Sequence, residues 1–123
     1  MTTLCDGIDH VQLAAPRGCE EEARRFFGGL VGLEELRKPA ALQGRGGVWF
    51  RCGAHELHIG VQPDFAPARK AHPAFRVRGL DELRVRLEDA GSATREDDAE
   101  IPGLRRFHVD DPFGNRLEFV EPT

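Results

Sequence analysis

The stretch DPFGNRLEFVE, residues 111–121, decides how the chain folds. Proline in second place and glycine in fourth make Asp111-Pro112-Phe113-Gly114 a type I turn. The turn joins an outgoing strand, Leu104 to Val109, to a returning one, Asn115 to Val120. Alternate side chains of a strand share a face. Glu118 therefore points the same way as Arg116 and Val120, and the other face is left for apolar packing.

Upstream, Leu80, Leu83, Leu87 and Ala90 make one helical stripe, with Asp81 and Glu82 in its first turn and Gly91 after it. Before it, His72 to Val77 reads as a strand, with Pro73 near its start or on an edge where no ladder donor is needed. The polar run Ser92 to Glu100 holds a short strand and a loop. The first half repeats this order. Ile8 to Ala14 is a strand ended by Pro16-Arg17-Gly18, and a helix starts near Glu20, with Ala23, Phe26, Phe27 and Leu30 on one face and Gly32 as its stop. Strands follow at Glu34 to Lys38, Gly47 to Cys52 and Glu56 to Val61, the last two joined at Gly53-Ala54. Gln62 to Ala71 reads as a surface linker. The pattern is strand, helix, then about three strands, twice over.

Residues 1–123 are enough for one domain, and 40% hydrophobic with 31% charged residues describes a soluble globular chain. A net charge of −4 gives no reason to expect nucleic acid or an anionic membrane as partner. No apolar run approaches the roughly 20 residues needed to span a bilayer, and the N-terminus lacks the basic and apolar regions of a signal peptide. Cys5, Cys19 and Cys52 are odd in number and follow no CxxC spacing, so they read as reduced thiols. A cytoplasmic protein is expected.

Four metal-capable side chains stand at corresponding places in the two halves. His10 matches His72, and His58 matches Glu118, each pair about sixty residues apart. Each lies in a predicted strand whose opposite face is apolar, so rigid strands would hold all four toward one concave surface. Imidazole and carboxylate suit Zn, Fe, Ni, Co or Mn without choosing among them. A cation would also offset the burial of the Glu118 charge. His55 and His108 match nothing in the other half and read as structural or surface residues.

The segments IDHVQLAAP, FFGGLVGLEEL, GGVWFRCGAHELHIGV, AHPAFRV with GLDELRVRLEDAG, and RRFHVDDPFGNRLEFVEP resemble the vicinal oxygen chelate superfamily, which groups glyoxalases, bleomycin-resistance proteins and dioxygenases. The resemblance covers nearly the whole chain. It implies an α+β fold of two βαβββ modules, about 6–62 and about 71–122, curling into an open, curved mixed sheet, the glyoxalase-like barrel, around a divalent metal. It also implies metal ligands at His10, His58, His72 and Glu118, a small-molecule substrate and a homodimer. Glyoxalase I enzymes usually carry Glu where this chain has His58, which leaves Glu118 and His58 as candidate proton carriers. Extradiol dioxygenases use two His and one Glu, fosfomycin-modifying thiol transferases use the set matching His10, His72 and Glu118, and bleomycin-binding relatives lack the metal set. A metal-dependent lyase or isomerase is the leading expectation. Its rivals are a ring-cleaving dioxygenase, a non-catalytic antibiotic-binding protein, and a metal that is purely structural. Trp49, Arg51, Phe107 and Arg105 are the expected substrate contacts.

Overall fold

The computed structural model describes residues 2–123. The first module runs β1 (His10–Ala15), α1 (Glu20–Ala23, continued by a π-helical stretch Arg24–Leu30), β2 (Glu34–Leu36), a 3₁₀ segment (Ala40–Arg45), β3 (Val48–Cys52) and β4 (His55–Val61). The second runs β5 (Ala74–Arg76), α2 (Leu80–Asp89), β6 (Thr94–Arg95), β7 (Leu104–Asp110) and β8 (Arg116–Pro122). Each builds its own open four-stranded mixed sheet, in the orders β1-β4-β3-β2 and β5-β8-β7-β6. The first strand of a module pairs parallel with its last, and the other pairings are antiparallel. The repeat read from element order is thus a repeat of topology.

Alternation along the strands separates core from site. Val48, Phe50, Leu57 and Ile59 of the first sheet, and Phe107, Val109, Leu117 and Phe119 of the second, are buried with Ala23, Phe26, Phe27, Leu80, Leu83 and Leu87 of the helices. Full burial of one such aromatic or aliphatic side chain contributes about 1.5–3 kcal/mol. Ala90 lies beyond the last turn of α2 and is exposed, so the predicted stripe ends at Leu87. The first helix widens where Gly28 and Gly29 weaken it, with the Val31 amide donating to the Phe26 carbonyl at 2.9 Å.

The turn after β7 does more than reverse the chain. The Gly114 amide donates to the Asp111 carbonyl (3.1 Å), as a type I turn requires. Asp111 Oδ1 accepts from the amides of Phe113 and Asn115, and its Oδ2 accepts from Asn115 Nδ2 at 2.8 Å. That same Asn115 nitrogen donates to the Ala14 carbonyl at 2.8 Å, tying the second module to β1 of the first. His72 falls outside the strand expected to contain it. The Glu118 amide donates to the Pro73 carbonyl (3.0 Å), but the ladder proper begins at Ala74 because proline brings no donor.

Candidate metal centre

Glu118 sits at the middle of the second sheet, with Ala74 of β5 on one side and His108 of β7 directly opposite on the other. Alanine leaves room beside the carboxylate, and His72, on the same face two residues earlier, fills it. His72 Nε2 is 3.0 Å from Glu118 Oε1. His72 Nδ1 donates to the Lys70 carbonyl at 2.8 Å. Arg106 Nη1 donates to the other carboxylate oxygen, Oε2, at 3.1 Å. His108 Nε2 is 3.5 Å from Oε1, is buried, and has no hydrogen-bond partner among the described residues. The ligand atoms of His72, His108 and Glu118 lie within 4.8 Å of one another, the one such group of three among the described residues.

Burial drives the Glu118 carboxyl upward, but hydrogen bonds from His72 and Arg106, with the nearby His108, outweigh it and leave the group below the ordinary carboxylate range. The task of balancing this buried charge, assigned above to a cation, is therefore already performed by Arg106. Desolvation pulls His108 below the usual imidazole range, more than the pull of Glu118 restores. Its ring is the neutral form that ligates metals.

A divalent ion fits this donor set. The Lys70 carbonyl and the Glu118 carboxylate can only accept, and each faces one ring nitrogen of His72. An Nδ1 fixed on a backbone carbonyl, with Nε2 directed at a carboxylate, is the arrangement that orients a metal-ligating histidine. The orphaned His108 nitrogen lies 3.5 Å from the same oxygen.

The first sheet presents a different surface. The rings of Trp49 and His58 stack at 3.7 Å between centroids and 2° between planes, and His10 stacks on His58 at 4.2 Å and 19°. The register explains the contact, since Trp49 is directly opposite His58. His58 is buried, and its Nε2 is 2.9 Å from Glu56 Oε1. Half-exposed His10 places Nδ1 2.9 Å from Asp9 Oδ2. Arg51 shares the Trp49 face and lies exposed, 4.0 Å from Glu34. A groove of about 820 Å³ runs beside Trp49 between Arg17, Lys38 and Gly47, with none of the four predicted ligands in its walls.

The four predicted ligands thus appear as two pairs, His72 with Glu118 and His10 with His58. Two predicted substrate contacts lie elsewhere. Phe107 is buried in the core against Phe119, and Arg105 pairs with Asp81 of α2. Both stand on the helix side of β7, because odd positions there face away from Glu118. His108 was read as structural or surface and instead abuts Glu118. The signal for it was present: once the turn is fixed at Asp111–Gly114, hairpin register puts residue 108 opposite 118.

Each of the two modules closes its first strand on its last and carries histidine and carboxylate side chains on one face of its sheet. The chain belongs to the Glyoxalase/Bleomycin resistance protein/Dioxygenase superfamily, whose family model matches residues 7–119. A glyoxalase family protein from Bacillus anthracis is 53% identical over 100% of both chains, with a TM-score of 0.94. A lactoylglutathione lyase from Agrobacterium tumefaciens (22% identity, 97% and 96% of the chains, TM-score 0.73) shares the fold. So does a fosfomycin resistance protein from Listeria monocytogenes (17%, 98% and 94%, TM-score 0.78). No curated protein matches the sequence. No helix among the described residues is long and apolar enough to cross a membrane.

Proposed function

We propose that the protein is a divalent-metal-dependent enzyme acting on a small oxygen-bearing molecule, with lyase or isomerase chemistry favoured. The observation that carries this reading is the His72–Glu118 pair, with the His72 ring locked by the Lys70 carbonyl and its Nε2 aimed at Oε1. His72 and Glu118 would hold the ion, with His10 and His58 as the ligands contributed by the first sheet. When bound, a divalent ion polarises a carbonyl and stabilises developing negative charge on oxygen. Glu118 and His58 would move a proton, and Trp49 and Arg51 would contact substrate.

His10 and His58 do not join the His72–Glu118 group within one chain, so two chains would meet in a cytoplasmic homodimer, the first sheet of one facing the second sheet of the other. Support comes from the strand that would lie at that junction. His10 opens β1 half-exposed, and the segment leading to it carries the exposed apolar side chains Leu4 and Ile8.

One observation favours a second reading, a binding protein without turnover. Arg106 already balances Glu118, so the carboxylate needs no cation to be tolerated. Metal content and activity of the purified protein separate the two. His10→Ala and His72→Ala are expected to lose most bound metal while the helices keep their packing. Full metal retention by the double variant would remove both residues from the ligand set. Tight stoichiometric binding of a small molecule to metal-free protein, with no product, would replace the enzyme by the binding protein.

A further inference from the structure

We propose that His108 is a further metal ligand, so that the second module supplies two histidines and one carboxylate: His72 Nε2, His108 Nε2 and Glu118 Oε1. The inference rests on the metal-dependent reading above and goes beyond it, because no ligand position was assigned to His108.

The distances carry the argument. Two donors each about 2.1 Å from one ion, seen from it at 90–110°, lie roughly 3.0–3.4 Å apart. Glu118 Oε1 is 3.0 Å from His72 Nε2 and 3.5 Å from His108 Nε2. A contact of 3.5 Å without hydrogen-bond geometry is a poor fit for an ion pair and close to the separation of two ligands sharing an ion. Arg106 occupies Oε2, which leaves Oε1 as a single ligand atom with an imidazole on either side.

The burial of His108 points the same way. The residue is 3% exposed, and its Nε2 lacks any partner among the described residues. A buried polar atom left unpaired costs about 1–3 kcal/mol. Around that nitrogen, Arg106 and Arg116 offer only donors and Glu118 only acceptors. Arg106 is already spent on Glu118 Oε2 and on the Ala99 carbonyl, while Arg116 Nε is buried and, like His108 Nε2, without a partner among the described residues. A cation held by Nε2 would give that lone pair a partner. A set of two histidines and one carboxylate leaves coordination positions open, as binding of an oxygen-bearing substrate requires.

The full chain is titrated with Co²⁺, reading affinity by calorimetry and coordination by visible absorption. His108→Gln is expected to weaken Co²⁺ by about 100-fold and to alter the absorption spectrum, a loss at least as large as that for removing an outer-shell partner. His72→Ala and Glu118→Gln are expected to lose the ion. If these two lose it while His108→Gln keeps both affinity and spectrum, His108 is no ligand and the metal-dependent reading survives. If the unmutated protein binds no Co²⁺, or all three variants bind it unchanged, both fall. Should His108→Gln not fold, nitrogen NMR of the unmutated protein decides. A shift of the His108 Nε2 resonance on adding Zn²⁺ is expected, and an unmoved resonance overturns the proposal.

Discussion

Replacing Asn115 by alanine removes both hydrogen bonds made by its side-chain nitrogen, one to Asp111 Oδ2 and one to the Ala14 carbonyl, each 2.8 Å long. A bond to a charged group is worth about 1.5–3 kcal/mol and a neutral one about 0.5–1.5. The expected loss is therefore about 2–4 kcal/mol. A chain of this length has a total stability of roughly 6–18 kcal/mol at ~0.05–0.15 kcal/mol per residue, so the change is a large fraction of it. In urea the midpoint should fall with an unchanged slope, and the melting temperature should drop by about 10 °C. The deficit should also depend on pH. Burial holds the Asp111 carboxyl above the ordinary carboxylate range, against the opposing bonds from Asn115 and Phe113. Without the Asn115 nitrogen the ionised form is worse off and the protonated form little affected. The gap between variant and parent should thus be widest at neutral pH and narrow as pH falls through the folded value of Asp111. Asn115→Asp should be worse than alanine at pH 7, since it sets a carboxylate against a carboxylate and a carbonyl. A variant within about 0.5 kcal/mol of the parent, below the weakest single bond counted here, would refute the claim that this contact joins the modules.

Three further expectations follow from the same coordinates. His108 and Glu118 are both held below their ordinary values of 6.5 and 4.5, so the unfolded chain takes up their protons first. Their contribution to stability should be complete above about pH 6.5 and lost as pH falls below it, with His108→Gln flattening the upper part of the decline in urea midpoints. Gly47→Ala should prevent the β3–β4 pairing from forming. Gly47 has φ +88°, and a Cβ there would collide with the Ile59 carbonyl oxygen, so loss of soluble folded protein is the expected readout. Gly60→Ala meets only the far end of the Gln12 side chain, which is free to swing away, and its melting temperature should stay close to that of the parent.

Most of the architecture was legible because its signals are local. The turn Asp111–Gly114, the stripe Leu80, Leu83, Leu87 and the apolar alternation of β4 each follow from a few neighbouring residues. The pairing of His72 with Glu118 was legible from the repeat. His108 has no counterpart in the first half, so the repeat is silent about it; its partner across the hairpin, Glu118, is the informative one. Phe107 and Arg105 went astray for a related reason, since a residue type says nothing of which side of β7 it occupies. The role of Arg106 depends on a buried carboxylate finding a cation from an adjacent strand, which needs three-dimensional proximity.

The parallel closure of each module has a consequence for how the molecule assembles. β7 and β8 are joined by a short turn and can zip together as soon as both are made, whereas β5 waits for β8, the last strand of its module. Co-translational folding of the second half is thereby postponed until β8 has been made. A chain stopped after Asp110 would strand β5 without its only neighbour, and would leave His72 facing solvent where its carboxylate should be.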